Sequence, residues 1–323
     1  MPSIRHFKPL TSISLGLLVL LGAALLVATV FVASNSRYMC SCSDDVNERP
    51  KTGSVGPSSV ETRDSGKIQL FHSAESVNWV RRHLQPPSKK PYNIPPYSKP
   101  VNTYRPDFGL PADYIDYSQY GQAAAMAVYH FKHKRNGRFL EVGAHDGHSL
   151  SNTLLFEQFY GWEGLLIEPN KELYTKLISL NRKAYTLNAC TGFYFHPTDI
   201  RIEEFECTAV PMSAIFEALP WTEWDYFSLD LEAAEPSLLM SIPWHSIKVD
   251  YIQVECNSCD PEHINGPSPD AVPVDHDKRF FLKEFMAVIG FDEVDQFWSY
   301  YHFPKLDRNV TRLIDLVYKR RGL

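Results

Sequence analysis

The chain is short of basic residues. Its 323 residues carry 32 Lys and Arg against 38 Asp and Glu, a formal net charge of −6. Neutralising phosphates needs surplus positive charge, so nucleic-acid binding is disfavoured. Cysteine is scarce too: six residues permit a few disulfides but no disulfide scaffold. No internal repeat is visible, which argues against a repeat architecture. The run Gly-x-Gly-x-x-Gly is missing, which disfavours a nicotinamide or flavin cofactor. Apolar residues at 44% and charged residues at 22% are ordinary globular values, so the chain is neither wholly disordered nor collagenous.

What is present begins with Leu10–Ala33, 24 residues without one charge. As a helix this is roughly 36 Å long, enough for a hydrocarbon core of about 30 Å and too long for a cleaved signal peptide. The expectation is a short cytosolic tail (1–9) and a transmembrane signal-anchor (10–33). Arg5 and Lys8 precede the run, while Asp44 and Asp45 follow it beyond Arg37. Counting positive charge leans toward a type II orientation. The sequon Asn309-Val310-Thr311 agrees, because glycosylation of Asn309 requires a lumenal domain. Residues 34–112 hold ten of the 23 prolines, too many for continuous helix, and read as a stalk or linker. Within it, Leu70, Val77, Val80 and Leu84 predict a short amphipathic helix near 67–85. The proline run 86–96 predicts an extended strap.

From 113 to 323, strand and helix patterns alternate. Strands are expected at Arg138–Gly143, Glu163–Glu168, Ala184–Ala189, Tyr226–Leu231, Val249–Glu255 and Arg312–Lys319. Helices are expected at Tyr120–Lys134, Gly147–Gly161, Asn170–Asn181, Pro236–Met240 and Phe280–Ile289. This order predicts an α/β fold with a doubly wound, mostly parallel sheet covered on both faces. Ligands in such sheets bind beyond the carboxyl ends of the strands. The first strand ends in Glu141-Val-Gly143-Ala-His-Asp146-Gly147, whose glycines allow a sharp turn and close approach to a ligand. The second ends at Glu168, roughly 20–27 positions downstream, where a carboxylate can accept from a pair of ribose hydroxyls.

Three stretches carry a family resemblance. Phe139-Leu-Glu-Val-Gly-Ala-His-Asp-Gly-His-Ser-Leu-Ser-Asn-Thr153, Gly161-Trp-Glu-Gly-Leu-Leu-Ile-Glu-Pro-Asn170 and Asp225-Tyr-Phe-Ser-Leu-Asp-Leu-Glu-Ala-Ala-Glu235 resemble the FkbM-type methyltransferase domain. Arg81 to Asn93, together with the anchor, resembles the animal Star-like branch of that family. The resemblance implies an S-adenosylmethionine methyltransferase fold. Glu141, Gly143, Asp146 and Gly147 would line the methionine and ribose end of the cofactor, Glu168 would hold the ribose, and Asp230 with Glu232 would lie near the acceptor. Two positions depart from the pattern: Ala233 replaces the usual glycine, and Leu229 stands where enzymatic relatives often carry Lys. The Star-like branch implies a type II membrane protein of the secretory pathway. Its role would be endoplasmic reticulum to Golgi transport of membrane-tethered growth-factor precursors, with late endosome and plasma membrane as further locations. The alternative is a lumenal O-methyltransferase acting on a glycan, lipid or protein hydroxyl.

Other motifs are weaker. Cys190 and Cys207 bracket the segment after a strand and are expected to bond in an oxidising lumen. Cys256-Asn-Ser-Cys259 lacks further ligands at zinc spacing, so no metal site is assigned, and it reads as a small surface disulfide or two free thiols.

Overall fold

Strand β1 (Arg138–Val142) explains the sheet's interior. Phe139 faces one apolar cluster, while Leu140 and Val142 face the other. In β2 (Glu163–Ile167), Leu166 and the pair Leu165 and Ile167 divide the same way. Successive side chains of a strand point to opposite faces, so a strand covered on both sides reads as continuously apolar. The computed structural model describes residues 72–95, 115–202, 205–256, 259, 276–303 and 308–323, except the side chains of 276 and 299–312. All of these belong to one compact unit spanning Gly66–Leu323.

The sheet has seven strands in the order β3-β2-β1-β7-β8-β10-β9. β3 is Tyr185–Leu187, β7 Glu223–Leu229, β8 Lys248–Glu255, β9 Phe291–Phe303 and β10 Arg308–Arg320. The first five run parallel, and β10 lies antiparallel between β8 and β9. Strand order reverses between β1 and β7, the place where doubly wound sheets form their crevice. A second sheet holds β4 (Cys190–Thr191), β5 (Thr198–Ile202) and β6 (Phe205–Val210) in the order β4-β6-β5. Cys190 and Cys207 are disulfide-bonded across it, with a Cα–Cα distance of 5.9 Å.

Several elements differ from expectation. The helix expected over 147–161 forms only at Leu154–Tyr160, because 143–153 is a loop tied down by side-chain oxygens. The helix expected over 120–134 is α-helical at Gln122–Ala125 and continues as a π turn, Met126–His130. Strands β5, β6 and β9 and the helix Met212–Ala218 were not expected. In β9 acidic residues interrupt the apolar pattern, in the run Phe291-Asp-Glu-Val-Asp-Gln-Phe297.

The helices, in chain order, are α1 (Ala74–His83), α2 (Gln122–Ala125), α3 (Leu154–Tyr160), α4 (Lys171–Ser179), α5 (Met212–Ala218), α6 (Glu235–Ser241) and α7 (His276–Val288). Residues 72–95, read above as part of a linker, are packed onto the sheet. The Ser73 hydroxyl caps α1 by accepting from Ser76 N at 3.1 Å, and Val77 and Val80 are buried in the core beside α5. Past α1, Gln85 and Thr186 exchange main-chain hydrogen bonds of 2.9 and 3.0 Å along the edge of β3. Ser88 N and Asn93 N donate to Arg182 O and Leu180 O. Extended proline-rich chain leaves its main-chain groups unpaired, and a sheet edge offers partners for them. Among the described residues, no helix is long and apolar enough to cross a membrane. The expected anchor 10–33 lies outside them. Asn309 lies on β10 opposite His302 of β9, in the part of the hairpin beyond the pairing with β8.

Candidate functional site

The β1 and β7 tips meet main chain to main chain. Asp230 N donates to Val142 O at 3.0 Å. Gly143 has φ 86°, and a Cβ there would lie 1.7 Å from Asp230 O. Only glycine fits that contact. Gly147, at φ 75°, turns the loop so tightly that a Cβ would meet Leu177 Cγ at 2.8 Å. Both glycines thus have a packing reason as well as the expected ligand-facing one.

Each carboxylate around this loop accepts hydrogen bonds from the protein. Glu141 is buried, and its oxygens accept from the Ser151 and Thr153 hydroxyls and from Asn152 N. Burial raises its proton affinity, and the Arg182 charge with those donors opposes the rise. The Arg182 side chain is wholly buried, donates to Glu157 at 2.9 Å and to Thr153 Oγ1 at 3.2 Å, and also bonds Gly147 O. Asp146 accepts from His148 N, Ser149 N and the Ser149 hydroxyl. Burial works against its charge, yet His145 and these donors hold it well below the usual carboxylate range. Glu168 accepts from His145 N and from Asn170 N, each at 2.8 Å. Burial raises its proton affinity, against the pull of those two N–H groups. Sequence reasoning missed Arg182 and Glu157, because a buried ion pair between separate elements leaves no local pattern.

The opposite half of the crevice is built differently. Asp230 and Glu232 are exposed, while Glu255 is buried, and ligand-capable oxygens of the three lie within 4.8 Å of one another. Glu235 and Asp315 are buried nearby. Solvent reaches Asp230, but protein surrounds it closely enough that desolvation is the main cause of a pKa raised to about 7. Asp315, Glu232 and Glu235 add to the rise, and Lys278 counters it. Burial first, then the negative charges of Asp230 and Glu235, pushes Glu255 up to about 9. Burial also raises Asp315 to about 6, although the amides of Gln122 and Gln253 donate to it.

The predicted residues therefore fall into two groups at one edge of the sheet. Glu141, Gly143, Asp146, Gly147 and Glu168 form the β1–β2 loop cluster, and Asp230 and Glu232 stand at the tip of β7. Glu168 and the glycine loop are joined directly through His145 N. Each Glu168 oxygen retains acceptor capacity beyond its one main-chain bond, so the donor and acceptor set fits a ribose diol. Glu141 is saturated by its own loop and is better placed to hold that loop than to meet a ligand.

Cys256 and Cys259 are disulfide-bonded and buried directly after Glu255, not on the surface as one reading had it. An open cleft of about 510 Å³ lies between α1 and the β5–β6 ribbon and reaches Asn188 at the end of β3. Trp79, Tyr174, Asp199 and Glu206 help line it, and none of the site carboxylates does.

No family model matches the chain, and no curated protein matches it. Solved structures similar to it include TehB from Haemophilus influenzae, at 10% identity and TM-score 0.37, covering 62% of each chain. The precorrin-6y C5,15-methyltransferase from Geobacter metallireducens aligns at 9% identity and TM-score 0.36, over 58% of this chain and 82% of that one. Fibrillarin from Aeropyrum pernix, solved with natively bound S-adenosyl-L-methionine, aligns at 14% identity and TM-score 0.35, over 60% and 73%. Likeness at that level decides nothing about chemistry, and the fold assignment rests on this chain's own strand order.

Proposed function

We propose that the domain binds S-adenosylmethionine at the β1–β2 tips and transfers a methyl group to a hydroxyl of a glycan, lipid or protein. One observation carries the reading. A solvent-reachable carboxyl with a pKa of about 7, Asp230, stands across the strand-order reversal from a glycine loop bonded to Glu168. The cofactor would supply an electrophilic methyl group. Glu168 would hold the ribose diol, and the open backbone at Gly143 and Gly147 would border the rest. Asp230 would accept the proton that the acceptor hydroxyl releases. A base acts best when its pKa lies near the working pH, since it is then both available and strong enough. Glu232, exposed beside it, adds negative charge that raises the basicity of Asp230.

Calorimetry of the full chain in detergent with S-adenosylmethionine tests this reading. Saturable binding is expected, weakened about tenfold or more in Glu168→Ala, since a hydrogen bond to a charged group is worth about 1.5–3 kcal/mol. Asp230→Asn should keep binding and lose methyl transfer. Absence of heat at millimolar ligand overturns the enzyme reading.

A second reading has its own support. Both Glu168 oxygens already serve main-chain N–H groups, and Ala233 holds φ 87° where the resembled family has glycine. These features suit a domain kept as a scaffold. In that case the chain would be a lumenal-facing membrane protein escorting membrane-tethered growth-factor precursors. Unchanged export of such precursors after deletion of 113–323 would end this reading.

A further inference from the structure

Among the described residues, no cation of β7, β8 or β10 is ion-paired with Asp230 or Glu255 at the tips of β7 and β8, or with Asp315 in the middle of β10. Leu229, the residue before Asp230, is buried in the apolar core. The flanking partners of Asp315 are the neutral amides of Gln122 and Gln253. The cation arrives from α7, more than twenty residues beyond β8. Lys278 has 5% of its side chain exposed and lies 2.7 Å from Glu235 and 3.7 Å from Glu255. Glu235 in turn accepts from Leu231 N at 2.7 Å. That bond closes the turn 231–235, whose residues Glu232 and Ala233 have φ of 49° and 87°. A rigid chain of contacts thus runs from Lys278 through Glu235 to the turn that carries Asp230.

We propose that Lys278 is a positioning residue for Asp230: it is a built-in counter-ion that anchors the 231–235 turn through Glu235 and limits the proton affinity of the carboxylates at the strand tips. The mechanistic consequence rests on the methyltransferase reading above, but the electrostatic role does not. Among the described residues, the groups facing Asp230 are Glu232 on the turn, Glu235 at the start of α6, Glu255 on β8, Asp315 on β10 and Lys278 on α7. Lys278 lowers the proton affinity of Asp230, Glu255 and Asp315 alike, against several like charges that raise it. An opposite charge held at this range opposes the proton uptake that burial favours, without cancelling it.

The test is a carbon-13 titration of the side-chain carboxyls in the full chain in detergent. With Lys278→Met, the midpoints of Asp230 and Glu255 should both rise by about one pH unit or more. Lys278→Arg, which keeps the charge, should leave them near the unaltered values. Lys278→Gln removes the charge and keeps a polar side chain. It is the second variant should the methionine form not fold, and the same rise is expected. Unmoved midpoints in a folded Met or Gln variant overturn the proposal. The titration uses neither cofactor nor acceptor, so it is independent of whether methyl transfer occurs. If transfer is found, its pH profile should move alkaline with Asp230 in Lys278→Met and return in Lys278→Arg. A purely structural lysine would lower the rate without moving the profile.

Discussion

The two carboxylate groups at the sheet's carboxyl edge differ in how they are neutralised. Around the β1 and β2 tips, Glu141, Asp146 and Glu168 each accept from backbone N–H groups, and Glu141 and Asp146 also from hydroxyls, with Arg182 beneath them. Around the tips of β7 and β8 and the middle of β10, Asp230, Glu232, Glu235, Glu255 and Asp315 crowd together with Lys278. The first group is satisfied by geometry that cannot change without unfolding the loop. In the second, burial first and neighbouring like charge second raise the proton affinities of Asp230, Glu255 and Asp315. Dense hydrogen bonding builds shape, while its scarcity leaves proton affinity adjustable.

The largest expected effect lies at the seam between the two. Gly143→Ala puts a methyl group 1.7 Å from Asp230 O at a left-handed backbone position. It should cost about 4 kcal/mol or more, read as a loss of folded protein in denaturant titration. Next comes the satisfied group. Arg182→Met strands Glu157 in a pair that is fully buried on both sides, and should cost about 3–5 kcal/mol by the same measurement. An effect below about 1 kcal/mol there would erase the distinction between the groups.

In the crowded group the expected effect is a slope against pH and not a collapse. Glu255 rises from an ordinary 4.5 to about 9 on folding, and Asp230 and Asp315 rise from 3.8 to about 7 and about 6. The folded chain therefore holds protons that the unfolded chain has released. That contribution is complete below the unfolded values and is lost as pH climbs through the folded ones. Thermal midpoints should fall as pH rises from about 5 toward 9. Glu255→Gln should flatten the upper end of that fall. A slope unchanged in Glu255→Gln would show that Glu255 does not hold its proton.

Much of the fold was legible because apolar runs such as Phe139-Leu140 and Leu165-Leu166-Ile167 can be read locally. Strand ends came within a few residues. Of the helix expected over 147–161, residues 147–153 are loop, because the Asp146 and Glu141 oxygens compete for their backbone N–H groups. β9 escaped because its partners are set by β10, not by its own alternation. Of the site, the glycines, Glu141, Glu168 and Asp230 were visible through motif resemblance. Lys278, Glu255 and Asp315 were not, since they come from α7, β8 and β10, which only the fold brings together. The covalent closure of Cys190 with Cys207 was readable from proximity in sequence.

The strap along β3 has a consequence for assembly. β3 is the terminal strand on its side of the sheet. A bare edge of that kind is a template on which a second chain can add its own strand. Gln85 occupies that template by pairing with Thr186, and Ser88 and Asn93 close the adjoining stretch with bonds to Arg182 and Leu180. Displacing this strap would present an adhesive border. The proline-rich segment thus guards the sheet against self-association.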